Sequence, residues 1–304
     1  MRLLIRNALT IVLITLICFI PTRSCSAKPV HISASKPEGV SIQYNVVYGK
    51  PDGTPLLLDV YRPGKNTAAL PAVVLVHGGG WVSGDKIAYK LIGINLAEHG
   101  YAAFSVDYRL APKFHYPAQL DDVQMAVRFI RAHAAQYDID PKRIGALGDS
   151  AGGQLAALLG TRDTRDNSDA ALSSYSSKVE AVVDYYGPAD FTIPPAQAHL
   201  NQEAVMFLTQ FFGKTPGEDP EIYRDASPVV YVDKTTAPFL ILHGTADTLV
   251  PPEQSEDLYD HLQKAGVPST LLLEYGKRHA FLNFLDPGLD LAISEQFLDE
   301  YLKH

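Results

Sequence analysis

The chain is poor in cysteine, with only Cys18 and Cys25 in 304 residues. Two thiols cannot staple a fold, so a disulfide-framework protein is excluded. Basic residues are also in deficit, 26 Lys and Arg against 34 Asp and Glu, a formal charge of −8. That balance argues against nucleic acid or an anionic membrane surface as the main partner, because both select a basic face. There is no apolar run of the roughly 18 residues that a membrane helix needs. There is no His-x-x-x-His pair, no Cys cluster, no phosphate-binding Gly-Lys-Ser/Thr loop and no Gly-x-Gly-x-x-Gly spacing. Neither a metal nor a cofactor is therefore expected. No internal repeat is visible. With 46% hydrophobic and 20% charged residues, the chain is neither disordered nor fibrous, and its length admits a single α/β domain.

The N-terminus reads as an export signal. Arg2 and Arg6 precede an apolar run over residues 8–20, which Pro21 ends. The run is too short to span a bilayer but matches a signal-peptide core. Small residues follow at Ser24, Cys25, Ser26 and Ala27, so cleavage after Ala27 is expected to leave a domain over 28–304. Both cysteines leave with the leader, as do Arg2, Arg6 and Arg23, which takes the balance to 23 basic against 34 acidic residues, or −11. Export without disulfides suits a bacterial periplasm or medium. The rival reading, a lipoprotein anchored through Cys25, ranks second because Thr22-Arg23-Ser24 lacks the apolar residue such a site wants.

Two β-branched, alternating runs come next, 40–48 and 56–61, joined through Pro51-Asp52-Gly53, a hairpin signal. Short apolar runs then appear at 72–76, 102–106, 144–147, 179–185, 239–242 and 270–273, of the kind that forms strands buried on both faces. Helical patterns lie between them at 89–98, 117–135, 151–159 and 253–265, with a last one at 292–302. This order predicts an α/β fold: a mostly parallel central sheet with helices on both faces. The polar tract 161–178 reads as a surface loop. The stretch 191–232 departs from the alternation, is rich in aromatics and is helical around 202–212. It is read as a short, lid-like insertion over the carboxyl edge of the sheet, where α/β folds bind ligands.

The chemistry concentrates at the ends of strands. Gly148-Asp149-Ser150-Ala151-Gly152 sits between a predicted strand and a predicted helix, the context of a nucleophilic serine on a sharp turn. His77-Gly78-Gly79-Gly80-Trp81 follows another strand, and its glycines free backbone amides to face inward. Gly78 and Gly79, with the Ala151 amide, are the expected oxyanion donors, and Gly80 is the substitute. A serine needs a base, and the base needs an acid. Among the ten histidines, His279 follows the last predicted strand and lies after the serine, as the chain order of this fold requires. The expected acid is Asp247, just past the strand at 239–242, ahead of Asp184 and Asp190. His77 and His243 are read as holding their loops. Trp81 is the expected substrate-binding residue. Phe191, Phe207, Phe211, Phe212 and Tyr223 are left unassigned, since aromatics at helical spacing are usually core.

Taken together, these motifs resemble the α/β-hydrolase superfamily, particularly esterases similar to hormone-sensitive lipase. Those share His77-Gly78-Gly79-Gly80 and Gly148-Asp149-Ser150-Ala151-Gly152, and Asp107-Tyr108-Arg109-Leu110-Ala111-Pro112 also looks like that group. Asp107 and Arg109 are read as scaffold. The acid segment, Gly244-Thr245-Ala246-Asp247 followed by Val250-Pro251, is closer to secreted esterases acting on acetylated or feruloylated plant polysaccharide, and Ala280 stands where glycine is commoner. The resemblance implies a serine carboxylester hydrolase acting on short-chain or carbohydrate-linked esters, with no nucleic-acid partner and no membrane insertion of the mature chain. Two alternatives share the scaffold: a serine peptidase of the prolyl-oligopeptidase type and a non-catalytic binding protein. The oligomeric state is left open.

Expressed with its full sequence in an exporting bacterium, the protein recovered outside the cytoplasm is expected to begin at Lys28. Intact-mass measurement checks this: retention of Met1, or a lipid-modified chain beginning at Cys25, overturns it.

Overall fold

The computed structural model describes residues 39–65, 68–193, 198–284 and 288–304. The expected leader, 1–27, lies outside the described residues. The region from Pro37 to His304 forms one compact unit.

All eight expected strands form. β1 (Val40–Gly49) and β2 (Leu56–Pro63) pair antiparallel, as the Asp-Gly signal implied. β3 (Leu70–Val76), β4 (Ala102–Val106), β5 (Ile139–Asp149), β6 (Ala181–Tyr185), β7 (Phe239–Gly244) and β8 (Ser269–Glu274) complete a single sheet in the order β1-β2-β4-β3-β5-β6-β7-β8. β2 meets β4 antiparallel, and from β4 to β8 every pairing is parallel. The carboxyl ends of β3, β5, β7 and β8 therefore open onto one edge, and each leads into one of the loops singled out above.

The continuous apolar runs are explained by burial on both faces. Along β3, Ala72, Val74 and Val76 enter one hydrophobic cluster while Val73 and Leu75 enter the other, the two-residue period of a strand. The first cluster is covered by α2 (Ala118–Ala132), α4 (Ala151–Thr161) and α7 (Glu253–Ala265) through residues such as Leu120, Val127, Leu155 and Leu258. The second is covered by α1 (Lys90–Glu98) and α8 (Gly288–Leu302) through Ile92, Leu96, Leu291 and Leu298. The helix expected over 117–135 breaks at His133. A short turn, α3 (Ala134–Tyr137), follows and ends at Asp138, which adopts the left-handed conformation. Between β6 and β7 lie α5 (Gln202–Phe212) and α6 (Pro220–Asp225), the regular part of the insertion. Among the described residues no helix is long and apolar enough to cross a membrane.

The loop after β4 is braced by charge. Arg109 grips Asp122 on α2 with its Nε (2.9 Å) and one terminal nitrogen (2.7 Å), its own amide donates to the same carboxylate (2.8 Å), and its other terminal nitrogen reaches Asp52 (2.9 Å). Burial pushes Asp122 up to about 6 even against those bonds. Asp107 accepts the amide of Lys86. Removing one partner of a buried pair strands the other charge, so Arg109→Ala is expected to cost about 3 kcal/mol. Arg109→Met with Asp122→Asn, which keeps an oxygen for the amide of residue 109 and removes the stranded charge, is expected to recover most of that loss. Urea unfolding of the two proteins checks it.

Candidate active site

The turn at the end of β5 is set by crowding. Ser150 has φ +51°, the left-handed region that a non-glycine residue enters only when its surroundings dictate it. Its amide donates to the Tyr185 carbonyl (2.8 Å), and its own carbonyl accepts the Gln154 amide, the first helical bond of α4. A Cβ at Gly148 would strike the Gly152 carbonyl, and one at Gly152 would strike the Val76 carbonyl. The two flanking glycines thus permit the close approach of helix and strands that lifts the serine to the rim.

His279 lies on the loop after β8. Its Nε2 is 2.9 Å from Ser150 Oγ and its Nδ1 is 2.6 Å from Asp247 Oδ2. With Nδ1 donating to the carboxylate, Nε2 is the atom free to accept the serine proton. The loops carrying the two residues are laced together: the Ala246 amide donates to the Lys277 carbonyl, the Thr245 amide to the Glu274 carbonyl, and the Gly276 amide to Thr245 Oγ1. Asp247 Oδ1 accepts the amides of Leu249 and Val250 (2.9 and 3.0 Å). Burial alone would raise this carboxyl. Hydrogen bonds from His243 and His279 prevail and hold it well below the usual carboxylate range. His243 is fully buried and shapes the turn as expected, with Nε2 donating to the Val250 carbonyl (2.9 Å) and lying 3.3 Å from Asp247 Oδ2.

The glycine loop corrects one expectation. The Gly78 amide donates to Asp149 Oδ1 (2.8 Å), so it is committed to the scaffold and leaves the set of oxyanion donors. Among the described residues, the amides of Gly79, Gly80 and Ala151 donate to no protein acceptor. Gly80, the expected substitute, remains with Gly79 as a candidate donor of this loop. Asp149 Oδ1 also accepts the Tyr89 hydroxyl (2.9 Å), and a Cβ on Gly78 would collide with the same carboxylate. His77 stacks on Tyr108 at 4.2 Å, its Nδ1 lies 2.8 Å from the Gly78 carbonyl, and burial lowers it to about 4, so it stays neutral at physiological pH.

A cavity of about 60 Å³ adjoins Ser150, walled by Gly80, Trp81, Phe191, Phe207, Leu208 and Val250 among others. Trp81 lines it as expected, but most of the indole is core: it stacks on Phe211 at 4.1 Å and its Nε1 donates to Gln154 Oε1 (3.1 Å). Gln154 in turn donates to the Ala226 carbonyl (2.7 Å), tying Trp81 to the insertion. α5 supplies Ala204, Phe207 and Leu208 to the wall. Asn201 caps α5 through the Ala204 amide and donates to the Thr248 carbonyl, which joins the insertion to the Asp247 loop. Asp184, the rival acid, is buried and bonded to the Gly187 amide, and Asp190 lines the cavity and caps Thr192. Sequence reasoning missed Asp149, Tyr89, Gln154 and Tyr186, whose ring packs edge-on to His279 at 4.9 Å. Only Tyr186 carried a signal, its position at a strand end on this rim.

A family model, BD-FAE, matches residues 58–262, two thirds of the chain. The chain belongs to the BD-FAE family. Esterase LipC of Mycobacterium tuberculosis is 33% identical over 243 residues, which cover 78% of this chain and 59% of LipC. The chain thus spans somewhat under two thirds of the length of such curated relatives. A truncated carbohydrate esterase from gut microbiota superposes with a TM-score of 0.77 at 30% identity, covering 89% of this chain and 99% of that one. The esterase Est2 of Thermogutta terrifontis superposes with a TM-score of 0.72 at 27% identity, covering 86% and 92%. As a BD-FAE member with these neighbours, the chain has the α/β-hydrolase fold.

Asp149 gives a pH test. Burial, opposed by the bonds from Tyr89 and Gly78, pushes its carboxyl up to about 6. An unfolded aspartate titrates near about 3.9. The folded chain therefore binds this proton more tightly, and the stabilisation, full below about pH 4, is lost as pH rises through about 6. Asp149→Asn keeps an oxygen acceptor for both donors and removes that dependence. Wild-type stability minus that of Asp149→Asn is expected to fall as pH rises from about 4 to about 6, as read by urea unfolding.

Proposed function

We propose that this BD-FAE member is a serine carboxylester hydrolase working through an acyl-enzyme. The observation that carries the reading is the unbroken line from Ser150 Oγ through His279 to Asp247, with contacts of 2.9 and 2.6 Å, beside amides that have no acceptor among the described residues. Ser150 attacks the ester carbonyl while its proton passes to His279 Nε2. The ionised Asp247 steadies the imidazolium. The amides of Gly79, Gly80 and Ala151 stabilise the oxyanion. His279 then protonates the leaving alcohol, and water activated by the same imidazole releases the acid. Such a sequence needs no metal and no cofactor.

The substrates we propose are short-chain or carbohydrate-linked esters. The cavity is small, its wall is mainly apolar, and the structural neighbours include a carbohydrate esterase and an acetyl ester-xyloside bifunctional hydrolase from Caldicellulosiruptor lactoaceticus. The insertion serves as the cap of this cavity. The protein acts outside the cytoplasm after losing residues 1–27, a reading supported by the basic and apolar pattern of its N-terminus.

The reading is tested with a p-nitrophenyl acyl series, a feruloyl ester, acetylated xylan and an aminoacyl amide, using wild-type and Ser150→Ala protein. Ester turnover is expected to drop on the order of 10⁶-fold in the variant, and fluorophosphonate labelling is expected to vanish. Undiminished turnover by Ser150→Ala would falsify the mechanism, and amide cleavage exceeding ester cleavage would replace it with a peptidase.

A further inference from the structure

The apolar wall of the cavity beside Ser150 is interrupted by two polar groups that the proposed mechanism does not use, Gln254 and Asp190. Gln254, in the first turn of α7, is 6% exposed. Its Oε1 accepts the amides of both Ala189 and Asp190 at 2.8 Å. Two backbone donors fix that atom as the oxygen, so the NH₂ group is the other end. Among the described residues this nitrogen has no partner, on a side chain that lines the cavity. The bracing of residues 189 and 190 is complete through Oε1 alone, which leaves the amide nitrogen without a structural task. Such a donor, on a side chain that lines the cavity, is open to an acceptor carried by a ligand.

Asp190 stands next to it, its amide held by that same glutamine. Its Oδ1 accepts the amide and hydroxyl of Thr192 (2.7 and 2.6 Å), and among the described residues no cation pairs with its carboxylate. The lining of the cavity thus includes a side chain with a free donor and one with a free acceptor, in a mainly apolar surround. An alkyl group would leave both unpaired. A carboxylate would be repelled by Asp190, and an ammonium would not accept from the amide. A hydroxyl does both, accepting one hydrogen bond and donating another.

We propose that the cavity beside Ser150 is a subsite for a hydroxyl-bearing part of the ester substrate, recognised by Gln254 Nε2 as donor and Asp190 as acceptor. The inference rests on the esterase reading above and adds to it the polar group that the substrate must carry. That hydroxyl belongs either to the acyl group or to the alcohol, and two isosteric pairs of esters separate the sources. Ethyl 3-hydroxypropanoate is compared with ethyl butanoate, and 2-hydroxyethyl butanoate with propyl butanoate, each pair differing by OH in place of CH₃. The full chain is expected to favour the hydroxylated member of one pair by about tenfold or more in kcat/KM. The favoured pair identifies the acyl or the alcohol side.

Gln254→Glu keeps an oxygen for the Ala189 and Asp190 amides and deletes the donor. Asp190→Asn keeps an oxygen for Thr192 and deletes the charge. Each is expected to cut the preference at least fivefold, while a purely structural role would change both members of a pair alike and leave their ratio fixed. Should Gln254→Glu fail to fold, Asp190→Asn carries the comparison. A ratio near one in both pairs, or one that neither variant alters, overturns the subsite. Absence of hydrolysis of all four esters, with no fluorophosphonate labelling, overturns the esterase reading itself.

Discussion

The left-handed backbone at Ser150 is the constraint on which the site depends. It reverses the chain between β5 and α4 within one residue, exposes Oγ at the rim and brings the Ala151 amide beside it. That geometry is held from three sides: the Tyr185 carbonyl takes the serine amide, and the carbonyls of Val76 and Gly152 occupy the space that side chains at 152 and 148 would need. A conformation of this kind costs about 1–3 kcal/mol and persists only when its surroundings over-determine it. The buried central strands provide that support.

Ser150 is not alone. Trp81, Tyr186 and Ala280 also have φ between +46° and +63°, and all three lie in or beside the rim residues, Ala280 directly after His279. The position at 280 has a left-handed backbone, which glycine adopts freely and alanine resists. The alanine narrows the conformations open to the loop in the unfolded chain and accepts strain in the folded one. Strain concentrated at the ends of β3, β5, β6 and β8 is thus a property of the whole rim, supported by a sheet buried on both faces.

Much of this was legible from the sequence, because its signals are local. Alternating runs marked the first two strands, continuous apolar runs marked the other six, and the glycines at 148 and 152 marked the elbow. Chain order together with a place just past a predicted strand singled out Asp247 and His279, and the structure brings both to Ser150. What escaped was long-range. Nothing near Gly78 indicates that its amide is taken by Asp149, 71 positions away, since a free and an occupied glycine amide read alike. Phe207 and Phe211 have the same helical spacing, yet Phe207 walls the cavity and Phe211 is buried against Trp81. Which face of α5 turns inward is set by how the insertion docks, through Asn201 and Gln154, and periodicity alone does not specify docking.

Three buried aspartates near the rim show how surroundings divide one residue type into different roles. Asp184 receives one backbone amide and is pushed up to about 7 by burial. Asp149 receives an amide and a phenol, both neutral, and is pushed up to about 6. Asp247 receives two amides and faces two imidazoles, and it is held far below the ordinary range. Desolvation acts on all three in the same direction, so the differences follow the donors that stabilise the charged form. Only Asp247 combines a dense donor set with a histidine that itself reaches the serine. A carboxylate that must remain ionised beside an imidazolium needs such a set, and one that merely anchors a loop does not. Proximity to the serine alone would not have separated them, since Asp149 is its immediate neighbour in the chain.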